Sequence, residues 1–137
     1  MPSVEALFVS PGRRSAMTSR NRVRAVAGLG FEGCAHAKPP KREVLFVSAQ
    51  HVHDVGVNPG TIKENVTVEG ADVEQWRVGQ RIRAGEAVFE VTMVCDPCRL
   101  MEEIRPGLQA ELEGRRGMLA RVVESGDVAL GDEIELL

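Results

Sequence analysis

The sequence predicts a mainly β domain with a few short helices, and three observations predict it. Short runs of β-branched and aliphatic residues recur along the 137 residues, turn signals separate them, and stretches with helical periodicity are few and brief. A closed barrel is the economical form for such a chain, because closure removes the edges that many short strands would otherwise expose. The length suits one domain, so residues 1–137 are read as a single unit with one core.

Taken in order, the apolar runs place strands at 4–9, 23–26, 44–47, 66–68, around Ile82, and at 88–94, 119–123 and 134–136. Pro11-Gly12, Asn58-Pro59-Gly60, Glu69-Gly70, Ala84-Gly85-Glu86 and Ser125-Gly126-Asp127 supply the turns between them. A first short helix is expected over 48–55, with Ser48 placed to cap its free amides. A second follows Cys98, where Leu100, Met101 and Ile104 fall on one helical face, and Pro106 starts a third that ends near Gly114. Two five-residue segments, Val78-Gly79-Gln80-Arg81-Ile82 and Leu130-Gly131-Asp132-Glu133-Ile134, share a turn-then-strand pattern too short to define a repeat.

Composition narrows the function classes. At 43% hydrophobic and 27% charged residues the chain is that of an ordinary globular protein, with a core that must be aliphatic because only four Phe, one Trp and no Tyr are available. So few aromatics, with a net charge of -3, argue against nucleic-acid binding, although local arginine clusters can still hold a small anion. The longest apolar runs are too short to cross a bilayer and no leader pattern opens the chain, so no membrane association and a cytoplasmic location are expected. Three cysteines then suggest thiol chemistry or metal binding before a disulfide framework.

The segment Cys95-Asp96-Pro97-Cys98 carries the strongest chemical signal. It joins a strand to an expected helix, and a thiol at a helix start is shifted toward the thiolate, the form that attacks electrophiles and binds metals. Cys98 is therefore the leading reactive group. The bland alternative is a pair of inert buried cysteines. A zinc site from Cys34, His36, Cys95 and Cys98 has suitable ligand types but a tight Cys-x-His spacing, and a thioredoxin-like dithiol lacks the helical crossovers upstream that the fold requires.

Three polar segments complete the candidates. The glycine-dense run 28–36 can bring backbone amides and His36 close to a ligand, or can be no more than a flexible loop. Lys63-Glu64-Asn65 precedes a strand, and Gly114-Arg115-Arg116-Gly117 sets two arginines between flexible glycines. Guanidinium groups there suit phosphate or carboxylate, and a solvated turn is the competing reading.

In combination these segments resemble the MOSC domain, the module named after the C-terminal part of molybdenum-cofactor sulfurases and found also as stand-alone bacterial proteins. The resemblance rests on Gly33-x-x-His36, Arg42-Glu43-Val44, Glu64-Asn65 with Gly70, Gly79, Gly85, Pro97-Cys98, Arg115-Arg116-Gly117, Arg121-Val122 and Gly131-Asp132. Cys34 stands where the family usually has Asp, and so does Gln80. The resemblance implies a MOSC-like β-barrel and binding of the molybdenum cofactor (molybdopterin). It makes Cys98 the residue that ligates molybdenum or carries persulfide sulfur, in cofactor sulfuration or molybdenum-dependent reduction. His36, Arg42, Glu64, Asn65, Arg115 and Arg116 are the expected cofactor-binding residues. The implied partners are the cofactor or its sulfur donor and a redox or molybdoenzyme protein. Pyridoxal phosphate, which serves a separate sulfurase domain, is not expected in this chain. A non-catalytic cofactor or sulfur carrier, and a Cys-x-x-Cys redox or zinc protein, are the alternatives.

Overall fold

The computed structural model describes residues 1–12 and 14–137. Eleven strands and three short helices follow the order β1 (Ser3–Val9), β2 (Thr18–Arg20), β3 (Arg22–Val26), β4 (Gly30–Phe31), β5 (Val44–Ser48), α1 (Ala49–Asp54), β6 (Val66–Glu69), β7 (Arg81–Ala84), β8 (Ala87–Val94), α2 (Arg99–Ile104), α3 (Leu108–Glu111), β9 (Met118–Glu124), β10 (Gly126–Ala129) and β11 (Ile134–Leu136). A 3-10 turn, Val73–Gln75, lies between β6 and β7. The apolar runs account for every long strand.

Eight strands form one sheet in the order β11-β7-β8-β9-β5-β6-β1-β2, and β10-β3-β4 form a second. The mainly β fold is as expected, while the barrel stays unconfirmed: among the described residues no ladder closes either sheet. Instead the start of β1 is tied to the turn before β11 at a single bridge, Ser3 to Glu133, flanked by amide hydrogen bonds from Val4 to the Asp132 carbonyl and from Ile134 to the Pro2 carbonyl. The two segments that share a turn-then-strand pattern become β7 and β11, which pair with each other. Every pairing is antiparallel except β5 with β6, where α1 supplies the crossover that a parallel pair requires.

β5 holds the molecule together. All five of its residues are buried, and strand alternation sends them to two different cores. Val44 and Phe46 face the main core between the sheets, while Leu45 and Val47 face a satellite core under the helices with Val52, Met101, Leu108 and Leu112. In the main core the Phe46 ring meets Phe89 edge-on at 5.2 Å and Trp76 at 5.6 Å. Such pairs contribute beyond their area, and each buried ring adds roughly 1.5–3 kcal/mol of hydrophobic stabilisation.

Three short strands differ from expectation. β2 is polar and exposed along its length, so it has no alternation to read. β4 has two residues inside the glycine run. β10 starts inside Ser125-Gly126-Asp127, read as a turn; glycine stands at 126 because a side chain would strike the Glu86 backbone, 2.5 Å from its Cβ position. At α1, Ser48 occupies the capping position but makes no cap, since its hydroxyl accepts from the Val73 amide at 2.7 Å.

Candidate functional site

The glycine-rich segment, the turn before β6, the end of β8, α2 and the start of β9 converge on one cleft of about 630 Å³, within the range of small-molecule sites. Its walls are chemically divided. Leu45, Leu100 and Leu119 supply apolar surface; Arg14, Lys38, Arg42, Lys63 and Arg116 supply cations; Glu43 and Glu103 are the carboxylates. Five cations against two carboxylates make the cleft positive in a chain whose net charge is -3. The charge is concentrated where a ligand can enter, which favours an anion.

Arg116 is the unusual member. It is 6% exposed, and its Nε and Nη1 are buried with no hydrogen-bond partner among the described residues. An unsatisfied buried guanidinium is costly, so such a group is commonly held for something that binds to it. Its backbone is fixed from both sides. The neighbouring Gly117 donates its amide to Glu74 Oε1 at 2.8 Å and accepts from the Cys95 amide at 3.0 Å. Gly117 has φ of +100° and lies so close to Phe46 that an added Cβ would stand 2.2 Å from that carbonyl oxygen, so only glycine fits.

Two other cations are held in a rare backbone conformation. Arg14 (φ 62°) and Lys63 (φ 68°) are the non-glycine residues with positive φ among those described, and both line the cleft. Strained residues of this kind gather at ligand sites. Lys63 is further fixed by its ammonium, which donates to the Ser15 carbonyl at 2.9 Å. His36 stands among these charges; burial first, and then Lys63, Lys38 and Arg116, hold its pKa below the usual histidine value. It therefore offers a neutral imidazole.

The residues expected from the sequence separate into three groups. His36, Arg42, Asn65 and Arg116 do line the cleft. Asn65, however, has its amide engaged inside the fold: Oδ1 accepts from the Leu45 amide at 2.9 Å, while Nδ2 donates to the Phe8 carbonyl and to Cys34 Sγ. Cys34, in the position where the resembled family has Asp, thus serves as an acceptor, and Ser10 N donates to it as well. Glu64 is fully buried and is not itself a lining residue, and it accepts from Thr67 Oγ1 at 3.2 Å. Arg115 is exposed and Cys98 is exposed, and neither lines the cleft.

Cys98 does sit at the N-cap of α2, but that helix has six residues and the side chain caps nothing. The thiol on the cleft wall is Cys95, 5% exposed. Burial pushes its pKa up, while Arg116 and Arg42 pull the other way. The sequence reading missed Cys95, Lys38, Lys63 and Arg14 as cleft residues. For Lys63 the signal was present, since it stands in the polar Lys63-Glu64-Asn65 segment ahead of β6. The four-ligand zinc reading fails on placement, since among the described residues no three His, Cys, Asp or Glu side chains are grouped to hold a metal.

Glu64 gives a test of the interior. Burial raises its carboxyl pKa above the ordinary 4.5, against the hydrogen bond from Thr67 and the Arg116 charge. A carboxyl raised in the folded state contributes stability below its unfolded pKa and loses it as pH rises through the folded value. Glu64→Gln keeps an acceptor for Thr67 and cannot ionise. Urea unfolding from pH 4 to 8 should therefore show the variant gaining on the parent as pH rises; a constant difference would contradict a raised carboxyl.

The MOSC domain family model matches residues 35–135, which includes most of the cleft. The chain belongs to the MOSC domain family. Three solved structures share the fold. The YuaD protein of Bacillus subtilis superposes with a TM-score of 0.84 at 22% identity, over 99% of this chain and 96% of that one. YiiM from Geobacillus stearothermophilus gives 0.80 at 18% identity over 100% and 75%, and YiiM from Escherichia coli 0.73 at 18% over 99% and 68%. At such identities the likeness is one of fold. No curated protein sequence matches this MOSC chain. Among the described residues no helix is long and apolar enough to cross a membrane.

Proposed function

We propose that this MOSC protein binds the molybdenum cofactor in the cationic cleft and places a thiol of the Cys95–Cys98 segment beside it. The observation that carries the reading is the buried Arg116 guanidinium, whose Nε and Nη1 have no partner among the described residues. The residues fit the group: a phosphate-bearing ligand meets Arg116 with Arg42, Lys38, Lys63 and Arg14 around it, and Leu45, Leu100 and Leu119 offer surface to an uncharged ring. When bound, the cofactor supplies molybdenum for oxygen-atom or sulfur chemistry.

The protein's own residues bind, orient and exclude water. Arg116 fixes an oxyanion through a planar fork, and neutral His36 can donate or accept one hydrogen bond without adding charge. The thiol is the soft ligand or sulfur carrier. Cys98, the family-implied cysteine, is reachable from solvent and suits receipt of sulfur from a donor protein, whereas Cys95 already lies on the wall. Cofactor sulfuration and molybdenum-dependent reduction with a redox partner both start from this arrangement.

The test is molybdenum content by mass spectrometry of parent, Cys98→Ser and Cys95→Ser proteins made in cofactor-competent cells. If Cys98 is the ligand, Cys98→Ser loses molybdenum at least tenfold while Cys95→Ser retains it. Equal content in parent and Cys98→Ser removes Cys98 as the ligand, and loss in Cys95→Ser alone transfers the role to the buried thiol. A parent protein that carries no molybdenum would end the cofactor reading.

A further inference from the structure

Arg116 reaches the cleft from a backbone that is held from outside the cleft. Glu74, in the 3-10 turn between β6 and β7, does not line the cleft, yet its Oε1 accepts the Gly117 amide at 2.8 Å. On its far side Glu74 faces α1: His51 Nδ1 lies 3.9 Å from the same oxygen, and His51 Nε2 lies 3.8 Å from Asp72 Oδ1. That imidazole Nδ1 is itself buried and without a hydrogen-bond partner among the described residues. The turn that carries Glu74 is anchored in turn, because Asp72 accepts from the Glu74 amide at 3.0 Å and the Val73 amide donates to Ser48 Oγ. A chain of contacts therefore runs from α1 and the 3-10 turn, through one carboxylate, to the peptide that follows Arg116.

We propose that Glu74 is a positioning residue for the anion site, holding the Gly117 peptide so that the Arg116 guanidinium is preorganised toward the cleft. The proposal rests on the reading of the cleft as an anion site. Preorganisation matters here because Arg116 Nε and Nη1 have no partner among the described residues, so backbone and packing weigh heavily in where the fork points. The other backbone contact of Gly117, from the Cys95 amide, fixes the carbonyl side of the residue and leaves the amide side to Glu74.

The sign of the effect separates positioning from charge. A carboxylate near a cationic cleft repels an anion, so removing it should tighten anion binding if Glu74 acts only through its field. Positioning predicts the reverse for Glu74→Ala and no loss for Glu74→Gln, whose amide oxygen can still accept from Gly117. The experiment is calorimetric titration of the parent, Glu74→Ala and Glu74→Gln with inorganic pyrophosphate and, separately, molybdate at fixed ionic strength. The order of the Arg116 Nε–H and the exchange rate of the Gly117 amide are followed by NMR on the same proteins.

Glu74→Ala is expected to weaken binding at least fivefold, speed Gly117 amide exchange and loosen the Arg116 side chain. Glu74→Gln is expected to bind within twofold of the parent, or more tightly. In an Arg116→Lys background the Glu74→Ala step should cost nothing further. Equal or tighter binding by Glu74→Ala, or an Arg116 signal unchanged by it, overturns the proposal. If the parent binds neither probe, the anion reading fails separately, and the NMR measurements still decide whether Glu74 holds the arginine. If Glu74→Ala does not fold, Glu74→Asp, which shortens the reach to Gly117 while keeping the charge, replaces it and is expected to show the same loss.

Discussion

Replacing Arg116 with Lys lowers the affinity of the cleft for its anionic ligand at least tenfold and leaves the fold intact. The positive charge is nominally kept, so the loss reports geometry. Nε and Nη1 of Arg116 are both buried and unpartnered among the described residues, and the flat guanidinium they belong to can grip two oxygens of a phosphate or carboxylate. A lysine ammonium offers a point charge on a flexible stem, and when buried it tends to lose its proton. Loss of a charge-assisted bidentate contact costs on the order of 1.5 to 3 kcal/mol. Titration of Arg116→Lys and parent with the cofactor measures the difference, and thermal unfolding checks the fold. Indistinguishable affinities would return Arg116 to a structural role and leave the cationic rim without an anchor.

Phe46→Ala should be the most damaging single change in the core. Phe46 is fully buried, touches both Phe89 and Trp76, and stands on the strand shared by the two cores. Removal of the ring takes away its transfer free energy and leaves a cavity that the flanking strands, paired on both sides of β5, are poorly placed to fill. The expected cost is about 3–5 kcal/mol, or a fall in Tm of roughly 10 °C or more. Urea unfolding midpoints with unchanged m-values measure it. A loss below about 1.5 kcal/mol would show that the surrounding side chains close the gap.

The fold was legible wherever a strand has one or two apolar faces. Val88 to Val94 and Leu119 to Val123 declare β8 and β9 because their burial is dictated by their own residue types. β2 and β10 were not legible, since Thr18, Ser19 and Arg20 bury nothing and Ser125-Gly126-Asp127 has the local pattern of a turn. The helix after Cys98 was legible from Leu100, Met101 and Ile104, but its six-residue length was not, and with it goes most of the electrostatic case for a thiolate at Cys98.

The site divides along the same line. Arg116 and His36 stood out because glycines around them marked chain that must bend toward something. Which of Arg115 and Arg116 turns inward depends on Gly117 pressing against Phe46, a contact 71 positions away in sequence. The inside and outside places of Cys95 and Cys98 likewise depend on where β8 ends against Gly117. Lys38 and Arg14 come from loops whose paths are set by tertiary contacts, and no local pattern announces them.

The division of β5 between two cores has a mechanical consequence. The cleft has one wall that belongs to the sheet and another, with Leu100 and Glu103, that belongs to the helical layer resting on Leu45, Val47 and Leu119. These are separate packing units, each able to breathe on its own free-energy scale. A ligand wedged between them would act as a strut, touching the helical layer through Leu100 and Glu103 and the strands through Leu45 and Leu119.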